Sequence, residues 1–178
     1  MSFPPASPKS SASSVARVAV VFNPDIQAES YLTSIETAAS ALGVTAIRTP
    51  VRNPLDVVRA LDAFAAEPNG GIIGVPPFGA AATRDMIIRL GTEHRLPSIY
   101  ASQFEAATGG MMAYGTDSVD LYRRAASYVD RLLRGAKVSD LPVQFPTKFN
   151  LVINLKAAKA IGLVLPPTLL DRADEVIE

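Results

Sequence analysis

Five short groups of polar and aromatic residues could contact a small molecule. The groups are Asn23-Pro24-Asp25, Thr49-Pro50, Pro76-Pro77-Phe78-Gly79, Ala101-Ser102-Gln103 and Tyr114-Gly115-Thr116-Asp117. They supply amides, hydroxyls, aromatic rings and two carboxylates, which are groups that fix a polar solute in a pocket. They contain very few groups that transfer protons near neutral pH, so their chemistry favours binding over catalysis.

The residues that known catalytic and metal sites need are almost absent. There is no Cys, which excludes thiolate catalysis and Cys zinc sites, and His94 is the single His. A Gly-x-Ser-x-Gly elbow occurs nowhere, and no glycine-rich dinucleotide loop follows the first predicted strand. His94 lies at a predicted helix end, which favours a surface role without chemistry. The sequence therefore predicts no catalytic residue, no metal and no cofactor.

Length and charge limit the classes of protein and partner. The chain has 178 residues, with 17 Lys and Arg against 17 Asp and Glu, and thus a formal net charge of zero. This length suits one ordinary domain with a substantial core. Because the charge is balanced and scattered, we expect no nucleic-acid partner. No apolar run approaches the roughly 18 residues of a membrane span, so the chain is predicted not to span a membrane.

Short β-branched runs alternate with amphipathic segments from Val15 onward. Predicted strands cover residues 17–22, 44–48, 71–75 and 98–100, and their first residues are spaced by 27. This alternation is typical of an α/β fold, a three-layer open and mostly parallel sheet flanked by helices. Ligands of such sheets bind beyond the carboxyl ends of the strands, where the five polar groups fall.

Three helices are predicted between these strands. Asp25 is a candidate cap for the first, which ends at Gly43; Asn53 and Pro54 begin the second; the third covers about 80–93. The residues predicted to face the core are Leu32, Ile35, Ala39 and Leu42 in the first helix, Val57, Val58, Leu61 and Phe64 in the second, and Met86, Ile87 and Leu90 in the third.

The second half of the chain is less regular. Thr116 or Asp117 is predicted to cap a long helix that ends at Gly135. Its predicted inward residues are Leu121, Ala125, Tyr128, Val129, Leu132 and Leu133, and its arginines (Arg123, Arg124, Arg131 and Arg134) indicate a solvated face. A strand over 149–155 follows, then a short helix capped by Asn154 and a last one from Pro166 through Ala173.

Residues 1–14 differ in composition from the rest. They contain six Ser and three Pro and almost no aliphatic side chain, which predicts a disordered leader. A secretory signal needs a continuous apolar stretch of about 7 to 15 residues, and this segment has none. We therefore expect no export signal within this chain.

Several separated motifs resemble one family of transport proteins. They are Arg17-Val18-Ala19-Val20-Val21-Phe22-Asn23-Pro24, Leu96-Pro97-Ser98-Ile99-Tyr100, Gly109 to Gly115, Asp120 to Ala126, Asp140 to Phe149, Leu151 to Lys156 and Arg172 to Ile177. In order and without large gaps, they resemble the ABC transporter substrate-binding protein family related to tryptophan and tyrosine importers. The resemblance covers residues 15–178.

The resemblance implies a type I periplasmic-binding-protein-like fold, in which two α/β lobes close on a small ligand. Residues 15–115 would form one flavodoxin-like lobe that binds the ligand. Residues 116–178 would cross back and pack on a first lobe, most of which would lie upstream of Met1 together with the export signal.

The resemblance also suggests ligand-contacting residues. Asn23 and Pro24 match the family's first loop, and the helix predicted near Asp25 offers N–H groups for a carboxylate. The loop residues Tyr114, Gly115 and Asp117 match the crossover, where Asp117 could accept a ligand ammonium group or serve as a helix cap. Phe78, Tyr100 and Gln103, at neighbouring strand ends, would line the apolar side.

The implied function is solute binding for an ABC-type importer. The ligand would be a small, amino-acid-like molecule, the partner would be an ABC permease, and the location would be the periplasm. Binding would proceed by a hinge motion without catalysis. The long helix and the strand 149–155 would have apolar faces without a partner, which predicts a homodimer.

Two other functions are compatible with the sequence. An enzyme on a flavodoxin-like scaffold would need titratable groups to converge, and the candidates are Asp25, His94, Glu105 and Asp117. A regulatory sensor lobe would share the fold, but no helix-turn-helix is predicted before Val15. Convergence of titratable groups at the strand ends would favour the enzyme.

Overall fold

The computed structural model describes residues 15–27 and 29–178, which form a seven-stranded sheet with helices on both faces. The strands are β1 (Arg17–Phe22), β2 (Thr45–Pro50), β3 (Gly70–Val75), β4 (Ser98–Tyr100), β5 (Met112–Thr116), β6 (Phe149–Asn154) and β7 (Glu175–Ile177). The helices are α1 (Glu29–Ala41), α2 (Pro54–Ala65), α3 (Ala81–Glu93), α4 (Gln103–Ala107), α5 (Ser118–Leu133), α6 (Leu155–Ala160) and α7 (Pro167–Leu170), with a 3-10 turn over Val138–Asp140. The predicted leader, residues 1–14, lies outside the described residues.

The sheet has the strand order β2-β1-β3-β4-β5-β6-β7. Strands β1 to β5 are parallel, β6 is antiparallel to β5, and β7 is parallel to β6. The predicted α/β class and mostly parallel sheet are therefore confirmed. Because the first five strands run the same way, their carboxyl ends meet at one edge of the sheet.

The local signals located the first four strands and missed the last one. β1 and β4 have the predicted bounds, and β2 and β3 differ from prediction by at most two residues at an end. β7 has only three residues, mostly exposed, and no periodicity that would predict it. It is held by contacts distant in sequence: the Leu151 N–H donates to Asp174 Oδ2 at 2.7 Å, and the Asp174 N–H donates to the Leu151 carbonyl at 2.8 Å.

One face of the sheet is covered by α2 and α3. Asn53 caps α2 as predicted, since its Oδ1 accepts from the N–H groups of Leu55 (2.9 Å) and Asp56 (3.0 Å). The buried residues on this face include Ala19, Val21, Val57, Leu61, Phe64, Ile72, Ile87 and Leu90; Val58 and Met86 are only half-buried. This core contains most of the side chains predicted to face inward from the second and third helices.

The opposite face is covered in part by α1, and here two predictions were wrong. The helix begins at Glu29, so Asp25 lies in the turn before it rather than at its cap. Leu32 and Ala39 are buried and Ile35 half-buried, but Leu42 is 79% exposed. Leu42 follows the end of α1, where the chain has already turned toward Gly43.

Asn154 links three elements of the C-terminal half. Its Oδ1 accepts from the Ala157 N–H at 2.9 Å and caps α6 as predicted, while its amide donates to the Ala106 carbonyl of α4 at 2.9 Å. The strand before it is buried at Val152 and Ile153 and exposed at Phe149. The expectation of an unpartnered apolar face on this strand therefore holds only at its first residues.

Helix α5 projects from the sheet with its apolar side exposed. It is capped by Asp117, one of the two residues predicted for that role. None of its described residues is buried. The prediction that its apolar residues point inward was wrong. Its amphipathic pattern specifies a face that can be buried, but within the described residues nothing covers that face.

Candidate functional site

The five polar groups predicted from the sequence lie at one edge of the sheet, but in separate surroundings. Asn23, Thr49, Pro76, Ala101 and Asp117 follow or end the parallel strands there. The side chains around them open into three depressions rather than one. The contacts of each group decide which residues are free to meet a ligand.

The first group builds a turn. Asn23 is buried, and its Oδ1 accepts from the Asp25 N–H at 3.0 Å. Its carbonyl accepts from the N–H groups of Ile26 and Gln27. Pro24 is half-exposed inside this turn, and the Asp25 carboxylate is paired with Arg52 Nε at 3.0 Å. Asn23 therefore has a structural task, and Asp25 is already neutralised by a neighbouring cation.

The two aromatic residues at the ends of β3 and β4 belong to the core. Phe78 and Tyr100 are both almost fully buried and contact the residues under α2 and α3. Gly74 has no side chain because the Tyr100 ring occupies that space; a Cβ there would lie 2.4 Å from Tyr100 Cδ1. Burial raises the pKa of Tyr100 to about 12, so its phenol is neutral at physiological pH.

A depression of about 240 Å³, the β3–α3 pocket, lies beyond the ends of β3 and β4. It is lined by Pro76, Pro77, Phe78, Gly79, Ala80, Ala81, Arg84, Ser102 and Glu105. It is smaller than the roughly 300–1,000 Å³ typical of pockets for drug-sized ligands. Its size therefore suits a compact metabolite.

One side of the β3–α3 pocket contains the start of α3 and Arg84, whose guanidinium is paired with Asp85. The residue at the N-cap of α3 is Ala80, which has no side-chain acceptor, so no side chain caps the N–H groups of Ala81 and Ala82, while the Thr83 N–H donates to the Ala80 carbonyl. Arg84 in the same turn lies 4.6 Å above the Phe104 ring and donates to Asp85 Oδ1 at 2.8 Å. A helix N-terminus with a nearby guanidinium is suited to a carboxylate or another small anion.

The other side of the pocket carries a buried acid. Glu105 is 5% exposed, and its Oε2 has no hydrogen-bond partner within residues 15–27 and 29–178. A buried carboxylate oxygen without a partner costs free energy unless a donor or cation reaches it. Ser102, whose hydroxyl caps α4 by accepting from the Phe104 N–H, lies on the same wall. The pocket therefore combines groups for an anion with a group for a cation.

Two further depressions contain other predicted residues. The larger, about 500 Å³, lies beside α4 and is lined by Ala101, Ser102, Gln103, Phe104, Ala107, Thr116, Ser118, Val152, Glu175 and Ile177. The second, called here the apolar groove, measures about 200 Å³ and is lined by Tyr31, Ile35, Ile73, Gly74, Val75, Ile99, Tyr100, Ala101 and Tyr114. Gln103, Tyr100 and Tyr114 thus lie in depressions other than the one that contains Phe78.

The crossover group has mainly structural contacts. Tyr114 is 55% exposed and stacks on Phe149, with ring centroids 5.9 Å apart. Gly115 passes so close to β4 that a Cβ would lie 1.9 Å from the Ala101 carbonyl oxygen. Asp117 caps α5, since its Oδ1 accepts from the Asp120 N–H at 3.0 Å. These contacts fix the point at which α5 leaves the sheet.

The Asp117 carboxylate is also paired with a cation. Lys148 Nζ lies 2.7 Å from Asp117 Oδ2. The hydrogen bond from Lys148, followed by that from the Asp120 N–H, lowers the pKa of Asp117 to about 2. The same contact raises the pKa of Lys148. Asp117 is therefore ionised and occupied at neutral pH.

We expect the stabilising ion pair between Asp117 and Lys148 to be lost in acid. Because the folded-state pKa of Asp117 is about 2, below the ordinary 3.8, its stabilising contribution is present above about pH 4 and disappears as the pH falls toward 2. Asp117→Asn should therefore lower the urea midpoint at pH 7, and the gap from wild type should shrink below pH 4. Asp25→Asn, which alters an exposed pair, is the matched control. A gap that does not change with pH would contradict this assignment.

The residues that give the β3–α3 pocket its charge were not predicted as a binding set. No sequence pattern pointed to Arg84, and Glu105 was predicted only as a candidate for enzyme chemistry. One signal could have been used: Gly79 and Ala80 precede α3 where a Ser, Thr, Asp or Asn cap is usual. A long helix that begins at a strand end without a cap leaves its N–H groups for another partner.

The acid and base candidates of the enzyme alternative are dispersed. His94 caps the far end of α3, where its Nε2 lies 2.7 Å from Asp62 Oδ1. Asp25 and Asp117 each have their own cation, and Glu105 lies apart from both in the β3–α3 pocket.

Within residues 15–27 and 29–178, no helix is both long and apolar enough to cross a membrane.

Comparison with known proteins identifies one matching family and three solved structures of similar fold. A conserved domain protein from Vibrio cholerae is 25% identical with a TM-score of 0.80, over 91% of this chain and 55% of that one. An ABC domain from Streptococcus pneumonia, solved in complex with L-Trp, is 19% identical with a TM-score of 0.79, over 92% of this chain and 55% of that one. A ligand-free, open substrate-binding protein with adhesive properties from Clostridium difficile is 18% identical with a TM-score of 0.68, over 90% and 54%.

The chain spans about half the length of these three proteins. A search of curated protein sequences found no match. The profile described as "ABC transporter substrate binding protein" matches residues 9–177, nearly the whole chain. The predicted family and its α/β fold are thus confirmed, and the chain belongs to the ABC transporter substrate-binding protein family.

Proposed function

We propose that this chain forms one ligand-contacting lobe of the solute-binding component of an ABC-type importer. Its solute is a small, amino-acid-like molecule that is bound and released without chemical conversion. The observation that supports this most directly is the β3–α3 pocket, which presents an uncapped helix N-terminus and Arg84 on one side and the buried Glu105 on the other.

The charges of the pocket match a zwitterion. The solute carboxylate would accept from the first N–H groups of α3 and from Arg84, because both favour negative charge at the helix start. The solute ammonium would donate to Glu105, whose Oε2 lacks a partner within the described residues. Pro76 and Pro77 in the wall would contact the aliphatic carbons of the solute, while the nearly buried Phe78 ring supports that wall. The Glu105 carboxylate would then have a partner.

The comparisons support this proposal at the level of the class. The Streptococcus structure was solved with L-Trp, and that observation concerns that protein alone. The solute of this chain is proposed from its own pocket, whose volume of about 240 Å³ favours a compact molecule. The other residues suggested by the sequence remain predictions of cleft contacts: Asn23, Pro24, Asp25, Tyr100, Gln103, Tyr114, Gly115 and Asp117.

Binding would be coupled to closure of two lobes. The strand-end edge that carries the pocket is open to solvent, so a second lobe could close over it and complete the ligand shell. A ligand shifts such an equilibrium only through contacts that exist in the closed state and not in the open one. In this role the protein acts outside the cytoplasmic membrane, presents its solute to a permease, and associates as a homodimer.

Isothermal titration calorimetry with matched solutes tests the proposal. The panel contains the standard amino acids and, for each one that binds, its amide and its N-acetyl derivative, which lack one charge each. We expect saturable binding of at least one amino acid and at least about 100-fold weaker binding of both derivatives, because each leaves a charged group of the pocket unpaired. Equal binding of the derivatives, or no binding by any amino acid at millimolar concentration, would overturn it.

A further inference from the structure

The Arg84 side chain of α3 lies against an aromatic ring of a neighbouring element. Its guanidinium carbon is 4.6 Å from the centre of the Phe104 ring, and Phe104 belongs to α4. At this distance a cation is attracted by the ring face, and the planar guanidinium of arginine suits such a contact well. The contact, called here the Arg84–Phe104 pair, therefore joins an element that follows β3 to an element that follows β4.

The backbone of Phe104 is held on both sides by hydrogen bonds. Its N–H donates to Ser102 Oγ at 3.2 Å, and its carbonyl accepts from the N–H of Thr108 at 3.0 Å and from the Thr108 hydroxyl at 2.9 Å. Phe104 is nevertheless 53% exposed, whereas the next residue, Glu105, is buried. Burial in the core therefore does not account for this aromatic residue, but a half-exposed ring on a fixed backbone can support another side chain.

The Arg84 guanidinium has one occupied edge and one available edge. Its Nε and Nη2 both donate to Asp85 Oδ1, at 3.0 Å and 2.8 Å, so Asp85 occupies the Nε side of the group. Nη1 has no hydrogen-bond partner within residues 15–27 and 29–178. Since an aromatic ring does not replace an oxygen acceptor, the Nη1–Nη2 edge remains available for a carboxylate, which it can bind through two parallel hydrogen bonds.

The Arg84–Phe104 pair lies between two of the depressions described above. Arg84 lines the β3–α3 pocket, Phe104 lines the larger depression beside α4, and Ser102 lines both. Only 22% of the Arg84 side chain is exposed, so it lies along the pocket wall instead of extending into solvent. An arginine loses much rotamer freedom when it is ordered, and freedom that is lost before a solute binds does not weaken binding. The ring and Asp85 therefore prepare Arg84 for a solute.

We propose that Phe104 is a positioning residue that holds the Arg84 guanidinium in place for the carboxylate of the solute. Phe104 does not line the β3–α3 pocket, so it acts through Arg84 and not by contact with the solute. This role rests on the proposed function, in which Arg84 contacts the solute carboxylate. It extends that function, because the preference for a carboxylate over a neutral amide then depends on an aromatic residue outside the pocket.

Calorimetry with a double-mutant cycle tests whether Phe104 acts through Arg84. The probes are each standard amino acid that binds the wild type and the amide of that amino acid. We expect Phe104→Leu, which keeps an apolar side chain without a ring, to weaken binding of the amino acid by about 10-fold and to lower the preference over the amide by the same factor. In an Arg84→Gln background, Phe104→Leu should change the affinity by less than about twofold, because no guanidinium is left to position.

Two further variants separate positioning from general support of the pocket. Phe104→Tyr keeps the ring and should bind the amino acid as tightly as the wild type. Phe145→Leu makes the same change as Phe104→Leu at an exposed position that lines neither depression, and it should have no effect. Equal loss of affinity for the amino acid and its amide in Phe104→Leu, or an equal loss with and without Arg84, would overturn the proposal, and so would unchanged binding.

Nuclear magnetic resonance on the protein without solute distinguishes failure of this inference from failure of the proposed function. The Nε–H signal of Arg84, assigned by its loss in Arg84→Gln, is shifted by the ring as long as the two groups are in contact. We expect Phe104→Leu to move this signal, and Phe104→Tyr and Phe145→Leu to leave it in place. A signal that moves as expected in a protein that binds no amino acid would refute the proposed solute but not the positioning of Arg84. A signal unchanged in Phe104→Leu would overturn the inference whatever the wild type binds.

Discussion

Glu105→Gln is expected to weaken the binding of a zwitterionic solute by about 100-fold, because it removes the charge that the solute ammonium would contact. The same substitution should leave the unliganded protein at least as stable as the wild type. Glu105 is nearly fully buried, and its Oε2 has no partner in the described part of the chain. A neutral amide costs less to bury than an unpaired carboxylate.

The two opposite effects separate a binding role from a structural one. A structural Glu105 would lose stability on substitution and would lose binding only through that loss. Thermal unfolding and calorimetry on the same preparations distinguish the two cases. Glu93→Gln is the matched control, because it makes the same change at an exposed position of α3, where Glu93 pairs with Arg89. A Glu105→Gln protein that binds as tightly as the wild type would contradict the assigned orientation of the solute.

The parts of the fold that the sequence predicts well depend on local physics. Asn53, Asp117 and Asn154 are short polar residues ahead of apolar helical patterns, and each caps a helix in the structure. The caps follow from hydrogen bonds to backbone groups two or three residues away. The early strands are β-branched runs between such helices. No distant contact is needed to predict them.

The parts that the sequence does not predict depend on distant contacts. Asp25 is a good cap by residue type, but the Asn23 side chain and Arg52, 27 residues away, hold it in a turn instead. The pattern of α5 specifies an apolar face, but not whether this chain supplies the surface that covers it. An aromatic residue after a strand can line a ligand pocket or pack in the hydrophobic core, and its place in the sequence does not distinguish the two. Phe78 lies largely in the core.

The charged pair of the β3–α3 pocket illustrates the same limit. Arg84 and Glu105 are separated by a whole strand in sequence, and they line one pocket only because β3 and β4 are neighbours in the sheet. Residue types and strand ends can be read from the sequence. The sheet order, which decides which strand ends are adjacent, comes from tertiary packing. A site composed of loops from several strands is therefore the last feature that a single sequence predicts.

Gly115→Ala is expected to cost about 3 kcal/mol of folding free energy, because the new methyl group would overlap the backbone of Ala101, the residue that follows β4. A Cβ at Gly115 would lie 1.9 Å from the Ala101 carbonyl oxygen, so the two strands must separate to admit it. For a domain of this size, the melting temperature should fall by roughly 6–12 °C. Urea denaturation measures the loss of folding free energy directly. The dependence of the unfolding free energy on urea concentration is compared between the variants to check that both unfold in the same way.

The matched control is Gly162→Ala. Gly162 has a φ of 78°, and a Cβ at this position would have nothing within 4 Å, so the alanine variant should lose only about 1 kcal/mol through backbone strain. The difference between the two variants isolates the contact of β5 with β4. Equal losses would mean that the two strands separate easily.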